Sequence, residues 1–274
     1  MHDVFFFTDI HGCRPLFEAI MNYCKEQDEE ASIIFGGDAC DRGTDGYSIM
    51  KELLDNPKVL YLKGNHEDLF VKAAKQIREE FNFVDANKEY IQNTLLRSGR
   101  KTILVYESLL NGGLSTLVDW IIDGMPMDFV EKIDKLPLTF VYGKCDFSHA
   151  AAMPQTFQSV YTAEHEGRQP NEWDIESILW SRATLNYGWT PDRVAVFGHT
   201  PVVYLPEYTN VKFLKTQPVY YYVSTVPTLT GAKLDMDTGA AFTNKAFVLN
   251  VLTMKAQGFE LKNNKVEEIE VIQF

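Results

Sequence analysis

Three short apolar runs each deliver side chains of the metal-binding kind at their carboxyl ends, and no other feature constrains the fold as much. Ala31 to Phe35 leads into Gly36-Gly37-Asp38-Ala39-Cys40-Asp41-Arg42-Gly43. Val4 to Thr8 leads into Asp9-Ile10-His11-Gly12, and Val59 to Lys63 into Gly64-Asn65-His66-Glu67. Short apolar runs bounded by glycine read as buried strands. Charged groups packed at their ends are costly for folding alone. The carboxyl ends of strands are also where the loops of an α/β sheet build sites.

Helical spacing fills the gaps between these runs. Arg14 to Glu29 carries Leu16, Phe17, Ile20, Met21 and Cys24, and Gly46 to Leu54 carries Tyr47, Ile49, Met50, Leu53 and Leu54. The strand-helix-strand-helix-strand order predicts parallel pairing with right-handed crossovers. Another helix is expected from Glu67 to about Phe81. Residues 84–135 break the alternation with helix-like pieces at Tyr90 to Arg97, Thr116 to Asp123 and Met127 to Ile133. Asn111-Gly112-Gly113 and Gly124 punctuate them. They are expected to form a helical insertion beside the site, within a single domain spanning 1–274.

Strands are expected next at Leu138 to Tyr142 and Cys145 to Ala150, the second ending at His149. Met153 to Asn171 reads as a surface loop, with His165 solvated among Glu164, Glu166 and Arg168. Trp173 to Asn186 reads as a helix, and Val194 to Phe197 as a strand ending at Gly198-His199-Thr200. The remainder is strand-rich, at Val219 to Ser224, Ala232 to Met236, Ala246 to Leu252, Gly258 to Leu261 and Val266 to Ile272.

Composition narrows the function. A net charge of −12 argues against a nucleic-acid or anionic-membrane binder, because both need broad positive surface. No apolar stretch approaches the roughly 18 residues of a membrane span. The four cysteines, Cys13, Cys24, Cys40 and Cys145, show no C-x-x-C spacing, so the expectation is a reduced, cytoplasmic protein. A monomer is compatible with the sequence, which does not fix the oligomeric state. Asp9, His11, Asp38, Asn65, His149 and His199 are the candidate ligands. Such a mixed set suits manganese, iron or zinc rather than calcium. Six ligands exceed what one tetrahedral ion needs, so two divalent ions sharing a bridging carboxylate are expected.

The motifs also carry a family resemblance. Thr8-Asp9-Ile10-His11-Gly12, Gly37-Asp38-Ala39-Cys40-Asp41-Arg42-Gly43 and Gly64-Asn65-His66-Glu67 resemble the signature of metallophosphoesterases of the phosphoprotein phosphatase type (calcineurin-like). Ser148-His149-Ala150, Leu179-Trp180-Ser181-Arg182, Gly198-His199-Thr200 and Asp235-Met236-Asp237-Thr238-Gly239-Ala240 resemble later elements of the bacterial and phage branch. The resemblance implies an α/β fold of two packed mixed β-sheets flanked by helices. It implies that Asp9 and His11 hold one metal, Asp38 bridges, and Asn65, His149 and His199 hold the other. A metal-bridging hydroxide would attack the phosphate directly, with manganese the first expectation. His66 would be the general acid, oriented by Asp41, which is expected to raise its pKa. Arg42 and Arg182 would grip phosphate oxygens, with Asn65 beside them. Departures are Thr8 in place of glycine, Ala150-Ala151 in place of Ala-Gly, Pro201 after Thr200, and Thr243-Asn244 where a glycine often follows the Asp-Thr-Gly turn. None removes a proposed ligand.

The charge arithmetic agrees. Two divalent ions carry four positive charges, Asp9 and Asp38 return two, and a hydroxide returns a third. A phosphate dianion would be drawn in although the protein is acidic. Blander readings stand beside these: Arg182, expected in a helix, could be a surface ion pair. Cys13 and Cys40 read as small hydrophobes rather than redox sensors, and Tyr220 to Tyr222 as strand packing. The expected activity is a serine/threonine protein phosphatase taking a phosphorylated protein or small phosphoester. The alternative is a diadenosine tetraphosphate hydrolase, and the contrasting class is a binding protein that lost catalysis.

Overall fold

A computed structural model describes residues 2–98, 102–205, 217–221 and 231–274. Four layers follow from period-two alternation along the first strand, β1 (Val4–Phe7). Phe5 and Phe7 face one way, into a core shared with helices, while Val4 and Phe6 face the other, into a core between two sheets. The first sheet continues through β2 (Ser32–Phe35) and β3 (Val59–Tyr61), paired parallel as expected. The crossovers are α1 (Arg14–Gln27) and α2 (Gly46–Asp55).

Past β3 the chain enters α3 (Asn65–Glu80), then α4 (Lys88–Ser98), α5 (Ile103–Leu110), α6 (Leu114–Ile122) and α7 (Met127–Asp134). Of these, α5 has no counterpart in the sequence expectation. It is apolar nearly all round, so its periodicity is weak. The second sheet holds β4 (Thr139–Tyr142), β5 (Cys145–Ser148), β6 (Val194–Phe197), β7 (Val219–Tyr221) and β8 (Ala232–Asp235), in the order β4-β5-β6-β8-β7. Helices α8 (Pro154–His165) and α9 (Glu172–Trp180) cover its outer face. After the short α10 (Ala240–Thr243), β9 (Lys245–Asn250) returns to pair antiparallel with β1. Then β10 (Lys255–Lys262) and β11 (Lys265–Gln273) extend the first sheet. Both sheets are mixed.

Two expectations need correction. The segment expected as a loop from Met153 to Asn171 contains α8, which starts on Pro154 and buries Phe157, Val160 and Ala163. Proline is favoured at a first helical turn, and three apolar residues three apart are enough to seat a helix among polar ones. His165 closes that helix, its ring on Tyr161. The helix expected over 173–186 stops at Trp180, and Ser181 is extended. Arg182 therefore lies outside α9. The expected Val219 to Ser224 strand is seen as β7, and Tyr222 lies outside the described residues.

Phe6 is fully buried between the sheets, 5.2 Å centroid to centroid from Phe147. Phe6→Ala should therefore cost about 3–5 kcal/mol in denaturant unfolding of the metal-free protein. A loss under about 1 kcal/mol would mean that the sheets do not depend on this contact.

Candidate metal centre and phosphate site

Every proposed ligand lies at the carboxyl end of a strand. Asp9 follows β1, Asp38 follows β2, Asn65 opens α3 after β3, His149 follows β5 and His199 follows β6. The first three come from one sheet and the last two from the other. Their backbones are unusual: Asp9, His11, Asp38, Asp41, Arg42 and His199 all have positive φ, between 45° and 68°. This left-handed region is disfavoured for side-chain-bearing residues, and such strain concentrates at functional sites.

Asp38 faces both halves of the cluster. Its Oδ1 lies 3.3 Å from His149 Nε2, and its Oδ2 lies 3.5 Å from His11 Nε2 and 3.7 Å from His66 Nε2. Donor atoms of His11, Asp38 and His66 lie within 4.8 Å of one another, as do those of Asp38, His149 and His199. Asp9 Oδ1 is 4.0 Å from His11 Nε2. Thr8, the departure in the first motif, donates its hydroxyl to Asp9 Oδ2 at 2.6 Å. The His199 amide also donates to Asp9, at 3.1 Å. A Cβ on Gly198 would stand 2.0 Å from Asp9 Oδ2, so only glycine fits this approach.

The histidines are oriented as ligands. His11 Nδ1–H donates to the Cys40 carbonyl and His149 Nδ1–H to the Gly36 carbonyl, both at 2.9 Å, leaving Nε2 of each as a lone pair. His199 uses Nε2 on the Trp180 carbonyl at 3.2 Å, leaving Nδ1. His149 Nε2 and His199 Nδ1 both lie 2.8 Å from Asn65 Oδ1. Three acceptors meeting with no proton between them repel one another. A cation among them removes that repulsion, so the residues fit a metal. Burial, then the nearby His66 ring and the Arg42 guanidinium, pushes the His11 pKa well down, and burial does the same to His199. Both are held neutral, as ligation requires. Burial pushes Asp9 up, and burial with Asp9 and Glu67 pushes Asp38 well up.

Asp41, His66 and Arg42 form a chain. His66 Nδ1 is 2.8 Å from Asp41 Oδ2, as the sequence implied. The expected rise in the His66 pKa is not found: burial, then the Arg42 charge, pushes it well down. Arg42 donates to His66 Nε2 at 3.1 Å and to His11 Nε2 at 2.8 Å. Arg182 reaches the same region, its Nη2 3.5 Å from the His199 carbonyl. Cys40 is buried and its thiol is pushed well up by burial, as the hydrophobe reading expects.

Residues to which the sequence assigned no role complete the arrangement. Glu67 accepts four hydrogen bonds, from the amides of Asp38, Ala39 and Gly64 at 2.8 Å each and from Tyr61 Oη at 2.7 Å. Its position three after Gly64 is that of a capping box, a signal that was readable. Asp237, just past β8, is buried, and its carboxyl is pushed well up by burial and then by Asp9.

Buried histidines and carboxylates at the strand ends of a four-layer fold make a candidate metal centre, and the match to a family of phosphoesterases makes the chain a metal-dependent phosphoester hydrolase. The family model described as calcineurin-like phosphoesterase matches residues 2–224, and the chain belongs to that family. No curated protein matches the sequence. Among solved structures, the chain is similar to a candidate diadenosine tetraphosphatase at 15% identity and TM-score 0.49, covering 98% of this chain and 93% of that one. A metallophosphoesterase from Sphaerobacter thermophilus is similar at 10% identity and TM-score 0.47, covering 99% and 89%. A protein serine/threonine phosphatase from Saccharomyces cerevisiae is similar at 13% identity and TM-score 0.45, covering 100% and 81%. Among the described residues, no helix is long and apolar enough to cross a membrane.

Burial pushes the Asp41 carboxyl up to about 7 from an ordinary 3.8, against the Thr116 hydroxyl, the Cys40 thiol and Arg42. The folded chain thus holds this proton more tightly than the unfolded one, so its contribution to stability is lost as pH rises through about 7. Metal-free Asp41→Asn should therefore gain in Tm relative to wild type between pH 5 and pH 8. Parallel Tm–pH curves for the two proteins would show that Asp41 is ionised throughout.

Proposed function

We propose that this metallophosphoesterase is a phosphomonoesterase acting on phosphoserine and phosphothreonine in proteins. The reading rests on Asp41 holding His66 at 2.8 Å with Arg42 on the ring's other nitrogen. An alkoxide leaving group needs a proton as its bond to phosphorus breaks, whereas a nucleoside diphosphate leaves without one. A positioned acid beside an arginine therefore favours alkyl phosphates over dinucleoside polyphosphates. We also take the chain as one domain in which 84–135 is an insertion.

In this reading Asp9 and His11 would hold one divalent ion and Asn65, His149 and His199 another, with Asp38 shared and manganese the first choice. Bound ions would supply positive charge for phosphate oxygens and a nucleophile from water near neutral pH. Arg42 would exchange its bond to His11 for the phosphate and, with Arg182, grip the oxygens through planar guanidinium forks. That exchange also moves the nearest positive charge from His66 onto a dianion. Both changes raise the ring's affinity for a proton. His66 would then give its Nε2 proton to the leaving oxygen, while Asp41 fixes the ring through Nδ1–H.

Elemental analysis of active protein should find two divalent ions per chain, and chelation should abolish turnover until manganese is restored. Asp38→Asn should lose more activity than substitution of any other ligand, since its two oxygens face both halves of the cluster. One ion or fewer per active chain sinks the two-metal reading.

Leaving-group dependence tests the acid. Asp41→Asn should lose much of the roughly hundred- to ten-thousandfold that positioned proton transfer contributes, on a phosphoserine peptide. It should lose far less on an aryl phosphate with an acidic phenol. Equal losses, with metals retained, exclude the acid role. Faster turnover of diadenosine tetraphosphate than of phosphopeptide would replace the proposed substrate class.

A further inference from the structure

The loop carrying Asp41 and Arg42 is held from outside its own sheet. Both residues have left-handed backbones, with φ of 68° and 63°. Adjacent residues in that region do not hold their shape unaided. The Asp41 amide donates to Thr116 Oγ1 at 3.0 Å, and the Arg42 amide to the Gly112 carbonyl at 3.0 Å. The Gly43 carbonyl accepts from Ser115 Oγ at 2.7 Å. All three partners belong to the turn between α5 and α6 or the first turn of α6, inside the insertion. The approach is tight: Gly112 has φ of 92°, and a Cβ there would stand 2.9 Å from the Arg42 nitrogen.

The other end of this contact leads back to the same site. Trp120 of α6 packs edge-on against Phe70 of α3, with ring centroids 5.9 Å apart. The Leu104 and Val105 amides of α5 donate to Gln76 of α3 at 3.0 and 3.1 Å. Helix α3 presents His66 in its first turn. The insertion therefore bridges the loop that carries Asp41 and Arg42 to the helix that carries His66, and those three side chains meet.

We propose that the 111–116 turn is a clamp that sets Asp41 and Arg42 against His66, and that Thr116 is a positioning residue of the phosphatase reaction. The inference rests on the functional reading above. Rotation of the peptide at Asp41 would move both the carboxylate and the guanidinium relative to the ring, so a lost strut would act on turnover before it acts on folding.

The test compares Thr116→Val, which keeps the shape and removes the hydroxyl, with Thr116→Ser, which keeps the hydroxyl. Asp41→Asn and Arg42→Ala serve as references. Manganese-loaded Thr116→Val should lose about tenfold in kcat on a phosphoserine peptide, the worth of one buried hydrogen bond, with KM and metal content near wild type and a modest fall in Tm from the unpaired Asp41 amide. Thr116→Ser should keep kcat within about twofold. In metal-free, ring-labelled protein, the low-field proton resonance of His66 Nδ1–H, assigned by its loss in His66→Asn, should shift in Thr116→Val and stay in Thr116→Ser. If Thr116→Val does not fold, Ser115→Ala takes its place, with a smaller loss of kcat and the same kind of shift expected. Equal losses in the valine and serine variants, or an unmoved resonance with full turnover, overturn the clamp while Arg42→Ala still collapses activity. Full turnover in Asp41→Asn and Arg42→Ala overturns the functional reading, and the clamp with it.

Discussion

Buried carboxylates set the terms of this structure. Asp9, Asp38, Asp41, Glu67, Asp235 and Asp237 are all almost wholly removed from water. Desolvation raises the proton affinity of Asp9, Asp38, Asp41, Asp235 and Asp237. An interior of apolar side chains would reject such a set. The chain spends amides on some of them: Glu67 takes three, and Asp237 takes the Gly239 amide at 2.8 Å. Other oxygens stay unmatched among the described residues, notably Asp41 Oδ1 and Asp235 Oδ2. With neutral histidines around them, the carboxylates call for cations, and a protein of net charge −12 thereby keeps a site for an anionic substrate.

The two-sheet architecture explains how so many proposed ligands converge. One sheet of parallel strands offers a single row of carboxyl ends, and neighbouring ends lie about 5 Å apart. Packing a second sheet face to face adds a second row, so His149 and His199 approach Asn65 and Asp38 from the opposite side. Asp38 sits at the seam. The inter-sheet core of Phe6, Phe147, Val196 and Leu234 is thus a functional spacer as well as a stabilising one. Any change in its thickness alters the distance between the two sets of ligands.

Much of this was legible in the sequence because strand, turn and ligand occur within about ten residues of each other in the three opening motifs. The parallel crossovers follow from that local pattern, and the candidate ligands Asp9, His11, Asp38, Asn65, His149 and His199 from the ends of the expected strands, whereas the two-sheet fold class comes with the family resemblance that the motifs carry. What was illegible depends on long-range contact. Helix α8 hides its apolar face among glutamine, serine and threonine, and α5 has too little polar face to show a period. The pairing of β9 with β1 joins residues some 240 positions apart, and no local signal announces it. The lowered proton affinity of His66 escaped for a similar reason: a motif displays the partner Asp41, whereas burial comes from the whole fold.

The left-handed backbones at Asp9, His11, Asp38, Asp41, Arg42 and His199 show why the site needs so much scaffolding. Glycine would adopt these angles freely, yet glycine has no side chain to ligate, donate or carry charge. In the proposed roles each of these positions needs both the tight turn and the side chain, so the strain cannot be relieved by substitution. It has to be held in place from elsewhere. Backbone bonds from Asp9 and His11 to the Gly37 and Asp38 carbonyls lock the first two motifs together, and Glu67 ties the second to the third. The three opening motifs are thereby held by one another, and the Asp41–Arg42 turn also by the insertion. Loosening one then disturbs the others, which is why cavities and lost hydrogen bonds far from the phosphate should register in turnover as well as in stability.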